Sequence, residues 1–192
     1  MEKFSKLKPK DVFGTDNVKD DIVFSDNIMK IVKYEDWTII KENDAVFCIP
    51  YLIEKNQIVI RNEYIPTFKY VDGQEYHITL VGGRVEDGEA PETAMLRELE
   101  EEAGIILNEN YKLENLKPLF TNKGMTQKLH LYIIPLNERE YTEVTAVGDG
   151  SRAEKLSKSV KVDIKYLDSL NTSDLVTDYM ILKVKEHMNL LK

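Results

Sequence analysis

Residues 83–105 read GRVEDGEAPETAMLRELEEEAGI. The second half of this stretch is a helix with marked ends. Pro91 suits a first helical turn, where its missing N–H would have no partner anyway. Glu92 complements the positive end of the helix dipole. Gly104 is the residue type that closes a helix in the left-handed conformation, so the helix is predicted to run through Ala103. On it Glu98, Glu101 and Glu102 stand at i, i+3 and i+4 and share one face, a spacing at which like charges repel. Ala94, Leu96, Leu99 and Ala103 supply the apolar contacts that dock the helix. Two readings of the acids follow: a solvated acidic face, or a seat for a hard divalent cation, which prefers oxygen ligands.

Outward from the helix the chain reads mostly as strands. Before it, residues 22–40 carry β-branched and aromatic clusters broken at SDN and ED, which predicts a β-meander of two or three strands. AVFCIPYLI and QIVIRNEYI, separated by EKN, predict a hairpin with one strongly apolar strand. Residues 67–75 are expected to form a polar loop, YHITL a short strand, and VGGRVEDGEAPE a glycine-rich acidic loop. After the helix come an expected strand near 112–120, the loop TNKGMTQ, a strong strand at 129–136, an irregular polar stretch at 137–158 and a strand at 160–167. Ser173 or Asp174 is expected to cap a last helix, reaching about residue 190, whose Val176, Met180, Val184 and Met188 recur every four residues. Strands with two helices predict a mixed α/β or α+β sandwich.

Composition bounds the function. The chain has 192 residues, 42% of them apolar and 31% charged, ordinary for a globular domain. Acids outnumber bases 34 to 26, for a net charge of -8, which disfavours a broad electrostatic grip on nucleic acid or an anionic membrane. Only five arginines occur, at 61, 84, 97, 139 and 152. Arginine is the base suited to bidentate phosphate contacts, so each is a candidate. The single cysteine, Cys48, sits in the apolar run AVFCI and reads as a core thiol. The N-terminus shows no apolar signal region, no stretch is long enough to span a membrane, and the expected compartment is the cytoplasm. His77 and His130 read as core or rim residues, and GDG at 148–150 as a flexible turn. Residues 1–20 read as a polar leading segment.

Residues 83–105 resemble the Nudix box, G-x5-E-x7-R-E-U-x-E-E-x-G-U with U a bulky aliphatic residue. Gly83, Glu89, Arg97, Glu98, Leu99, Glu101, Glu102, Gly104 and Ile105 fill every fixed position. With each residue type at roughly 7% abundance, seven exact matches arise by chance on the order of once in 10⁸ windows. The resemblance implies a Nudix hydrolase: an α/β/α sandwich with a mixed sheet, preceded here by a β-rich N-terminal extension at 1–44, the catalytic domain occupying 45–192. It implies cleavage of a nucleoside diphosphate derivative with Mg²⁺ or Mn²⁺, held by Glu98 and Glu102, with Glu101 sharing that duty, and by the backbone carbonyl of Gly82. Arg97 would pair with a box carboxylate such as Glu101, and Glu89 would sit near the metal or brace the loop.

Features outside the box resemble the ADP-ribose pyrophosphatase branch. IVIRNEYIP at 58–66 places Arg61 as a phosphate or base contact. The N-terminal piece, with Tyr34 and Trp37, stands where that branch carries a dimerisation domain whose aromatic side chain stacks on adenine, which implies a homodimer. Arg84, beside the metal loop, is a further phosphate contact. The chain departs from the branch at Asn122, where proline is expected, and at Gln127, where glutamate often stands. Glu154 is the first choice for general base, with Asp149 or Glu98 as alternatives. The substrate implied is ADP-ribose, cleaved to AMP and ribose 5-phosphate. The rivals are a nucleoside triphosphate, a dinucleoside polyphosphate, NADH, a nucleotide sugar or a capped RNA end, and a module that binds nucleotide without hydrolysis.

Overall fold

A computed structural model describes residues 21–108, 110–172 and 174–188. The expectations for residues 1–20, for Ser173 and for the end of the last helix beyond 188 lie outside the described residues. The chain divides into two compact units, one taking the described residues up to Asn43 together with Phe120–Gln127, the other taking the rest.

The smaller unit is an antiparallel meander of β1 (Asp21–Ser25), β2 (Met29–Tyr34) and β3 (Trp37–Glu42). A two-residue turn joins β2 to β3 and pairs Tyr34 with Trp37, with Glu35 at φ 52. The Phe120–Gln127 excursion attaches to β3, where Ile40 exchanges backbone bonds with Gly124 and Thr126.

In the larger unit the main sheet runs β11-β4-β5-β13, with β6 on β5, β7 on β4 and β9 on β11. Its strands are β4 (Ala45–Leu52), β5 (Gln57–Tyr64), β6 (Tyr76–Thr79), β7 (Val81–Arg84), β9 (Glu114–Asn115), β11 (Lys128–Leu136) and β13 (Lys158–Asp163). Between them lie β8 (Ile105–Leu107), β10 (Leu119–Phe120) and β12 (Tyr141–Glu143), with β8 and β12 paired. The helices are α1 (Pro66–Asp72), α2 (Pro91–Ala103), α3 (Arg152–Leu156) and α4 (Leu175–His187). β4 and β11 are parallel, in register from Ala45 opposite Leu129 to Leu52 opposite Leu136, and the other described pairs are antiparallel, so the sheet is mixed.

Period-two alternation sends each strand's side chains to two cores. Val46, Cys48 and Leu52 of β4 join Val59 of β5 and Tyr132 and Ile134 of β11 under Ala94, Met95 and Leu99 of α2. Ile49, Ile58, Ile60, Leu131 and Ile133 pack on the other face against Met180, Ile181 and Val184 of α4. A sheet covered on both faces accounts for the nearly unbroken apolar runs of β4 and β11. Burying Leu99 completely contributes about 1.5–3 kcal/mol. The architecture is the α/β/α sandwich with a mixed sheet that the family resemblance implies.

Pro50 lies inside β4, where a missing N–H is costly in a central strand. The edge of β4 away from β11 changes partner there: it pairs with β7 from Ala45 to Cys48 and with β5 at Tyr51 and Leu52. Pro50 fills the gap between the two ladders.

Several local expectations are corrected. Residues 67–75 begin as α1, not as loop, because Pro66 opens a helical turn and Gly73 closes it at φ 80. VGGR is a strand, β7. The expected strand near 112–120 is two two-residue strands, and the strand at 160–167 ends at Asp163 in a 3-10 turn. The stretch 137–158 holds β12 and α3. The cap of α4 is Asp174, whose carboxylate accepts from the backbone N–H and hydroxyl of Thr177 at 2.7 and 2.6 Å.

Cys48 is buried in the α2-side core. Burial first, then the charges of Glu102 and Glu98, pushes its thiol well above the ordinary cysteine range. Native protein should therefore resist a thiol-alkylating reagent, while unfolded protein labels stoichiometrically; rapid native labelling by mass spectrometry would contradict the packing.

Candidate active site

The site grows from the fit of α2 against β7. Gly82 and Gly83 bring the β7 backbone close enough for two carboxylates of α2 to lie on it. A Cβ added at Gly83 would stand 2.3 Å from Oε1 of Glu98, and one added at Gly82 would stand 2.1 Å from the carbonyl of Val46. Across that seam the Gly82 N–H donates to Oε2 of Glu102 at 2.8 Å. Gly82 is thus required by the close approach of backbone, and at Gly83 a side chain would displace the Glu98 carboxylate from the seam.

Around this seam lies a basin of about 400 Å³. Glu98, Glu101 and Glu102 of α2 reach it, with Glu63 from β5, Glu86 from the loop before α2, and Asp149 and Glu154 from the segment before β13. Arg84 and Arg97 line it as well. The carboxylates are partly withdrawn from water: Glu98 is 9% exposed and Glu102 7%. Burial pushes both above the usual carboxylate range, against the opposing effect of Arg97 on Glu98 and of Arg61 on Glu102. Each also feels neighbouring carboxylates, including Glu154, which raises it further.

Arg97 organises the outer side. Its Nε and one terminal nitrogen donate to the two oxygens of Glu89, each at 3.2 Å, and its other terminal nitrogen reaches Glu98 at 2.7 Å and Glu101 at 3.2 Å. It also donates to the Arg84 carbonyl at 3.0 Å. The expected Arg97–Glu101 pair is present, and it belongs to a wider fork. Glu89 braces the loop, since it also accepts from the Glu86 N–H at 3.0 Å, and these bonds hold its carboxyl below the usual range, Arg97 most of all.

The structure places the remaining candidates as follows. Arg61, expected to touch substrate, is 2% exposed and ion-paired with Glu102 at 3.2 Å and Glu154 at 2.9 Å. It is committed to these two acids rather than presented to solvent, because β5 alternation turns it to the α2 face of the sheet with Val59. Arg84 is exposed at the basin wall. Asp149 and Glu154 both line the basin, but Asp149 is committed to its own turn, accepting from the Ser151 N–H at 2.7 Å, which lowers its pKa. Tyr34 and Trp37 belong to the smaller unit, where Trp37 is 54% exposed and so is not core. His77 is buried, and His130 is half-buried and bonded to Asp44 at 2.9 Å. Glu63 was not anticipated. It accepts from the Thr79 hydroxyl at 2.6 Å, and the alternation Val59, Arg61, Glu63 along β5 is the signal that could have found it.

The donors are hard oxygens on a rigid helix beside an exposed backbone, the set that suits Mg²⁺ or Mn²⁺. Among the described residues no three His, Cys, Asp or Glu side chains already stand at ligating spacing, and Arg97, Arg61 and the Gly82 N–H engage the oxygens of the α2 glutamates. A cation would replace part of those bonds and favour the charged forms of Glu98 and Glu102, which burial first and neighbouring carboxylates second disfavour. No helix among the described residues is long and apolar enough to cross a membrane.

A model described as NUDIX domain matches residues 42–160. Among solved structures, a crystal structure of an ADP compounds hydrolase matches with a TM-score of 0.63 at 16% sequence identity, covering 90% of this chain and 92% of that chain. No curated protein matches the chain.

Proposed function

The chain belongs to the Nudix family and is a Nudix pyrophosphatase, and from that premise we propose that it hydrolyses ADP-ribose to AMP and ribose 5-phosphate. The observation that carries the reading is the basin itself, where all three box glutamates of α2 meet the acids of the 149–154 segment over the Gly82–Gly83 seam. The choice of ADP-ribose is supported by the branch-like motifs and by the likeness in fold to a hydrolase of ADP compounds.

Glu98, Glu101 and Glu102, with the carbonyl of Gly82, would hold Mg²⁺ or Mn²⁺. When bound, the ion supplies charge neutralisation of the pyrophosphate and a more acidic water. Arg97 holds Glu98 and Glu101 in place from outside. Arg84, exposed on the basin wall, takes a phosphate oxygen. Glu154 faces the same basin and accepts the proton of the attacking water, and Asp149, tied to its turn and lowered in pKa, is the weaker base.

A hydrolysis screen with Mg²⁺ across ADP-ribose, nucleoside triphosphates, dinucleoside polyphosphates, NADH and nucleotide sugars, with product identification, tests the substrate. AMP and ribose 5-phosphate from ADP-ribose at the highest kcat/KM is the expected result, and preference for another class replaces the assignment. Binding without turnover of any compound would make the protein a sensor. Glu154→Gln should lower kcat about 10²–10⁴-fold. Undiminished turnover would pass the role to Glu98.

The smaller unit is proposed as a homodimerisation element, since its sheet exposes Ile22, Val23, Phe24 and Trp37. Light scattering should give twice the chain mass, and a monodisperse monomer removes this part. The reducing cytoplasm is the compartment proposed, on the single buried thiol.

A further inference from the structure

Arg61 is the most buried charged side chain described, and it serves two elements at once. One terminal nitrogen meets Glu102 of α2 at 3.2 Å, and the other meets Glu154 of α3 at 2.9 Å, while its Nε has no partner. A guanidinium is a planar fork with two ends, so it can join two carboxylates that would otherwise repel. The segment carrying Glu154 hangs from few other points. The Gly148 N–H donates to the Glu101 carbonyl at 2.9 Å, and the Ser157 hydroxyl accepts from the Tyr64 N–H at 3.0 Å. Between these two anchors, Arg61 is what ties the Glu154 carboxylate itself to the sheet.

We propose that Arg61 is a positioning residue that holds the 148–157 segment and its Glu154 beside Glu102 at the basin, and that it does not contact substrate. The inference rests on the reading of Glu154 as the base. Lysine at 61 keeps the charge but lacks the planar two-ended fork that meets the two acids at once. Arg61→Gln removes the charge from both, so thermal melts accompany each variant and R61K carries the test if R61Q does not fold.

Hydrogen–deuterium exchange on the full chain comes first, because it needs no substrate. R61K should raise uptake across residues 148–157 by about threefold or more while β4 and β11 stay as in the wild type. Unchanged uptake there overturns the tether. Kinetics then use the best-hydrolysed nucleotide of the panel with Mg²⁺. R61K should lower kcat about 30-fold with KM within about twofold, and should cost less than about twofold more in a Glu154→Gln background. A raised KM with intact kcat makes Arg61 a substrate contact and refutes the proposal, as do fully additive losses. If Glu154→Gln alone leaves turnover intact, the base assignment fails, while the exchange data still judge the tether.

Discussion

Glu98→Gln is expected to lower kcat by about three orders of magnitude, the roughly 4 kcal/mol that removing one ligand charge from a metal-assisted hydrolysis would cost. The fold should survive. Glutamine keeps the volume of the side chain, the amide can still accept from Arg97, and Arg97 retains Glu89 and Glu101. The loss of a partly desolvated negative charge removes repulsion from Glu101 and Glu154 as well. Glu98 is a cleaner probe than Glu102, because Glu102→Gln would also remove one of the two negative charges paired with the buried Arg61. Steady-state turnover with Mg²⁺, read beside a thermal melt, checks the pair of expectations. Near-normal kcat in a folded variant would refute the assignment of the metal seat.

Gly82→Ala is expected to be among the most damaging glycine-to-alanine changes in the described chain. The new Cβ would lie 2.1 Å from the Val46 carbonyl and 2.8 Å from the Phe47 Cα, both backbone of β4. That strand cannot move aside, since β11 is paired along its whole length on the other edge. Overpacking against fixed backbone costs about 3 kcal/mol or more, or roughly 10 °C in melting temperature for a chain of this size. Gly88→Ala is the comparison. A Cβ there meets nothing within 4 Å, so only the left-handed backbone at φ 81 resists it, at about 1–2 kcal/mol. Equal melts for the two variants would sink the close-packing account of the seam.

Some of this architecture was legible in residue types alone. Helix α2 announces both ends through Pro91 and Gly104, and its acids declare a shared face by spacing. The alternation of β4 and β11 is masked by burial on both faces, yet their apolar runs still read as strands. Other parts had no local signal. Helix α1 buries none of its residues, so PTFKYVD carries no apolar stripe to betray it. Strand β7 reads as loop because glycines usually mark loops, whereas here they serve the contact with Val46. Arg61 reads as a substrate contact because its partners are invisible locally: Glu154 lies 93 residues away along the chain. Burial on a mixed sheet, not the motif, decides what that arginine touches.

The parallel pairing of β4 with β11 bears on how the molecule is made. Ala45 finds Leu129 only after 84 further residues have been added. At about 5–20 residues per second, an emerging chain holds the most apolar strand of the protein for several seconds with β5 and β7 made but the β11 edge unpaired. During that interval one edge of AVFCIPYL is open to pairing with another chain. Pro50, placed at the junction of two ladders in the finished fold, is also the kind of residue that weakens such a segment as a β-pairing template for other chains.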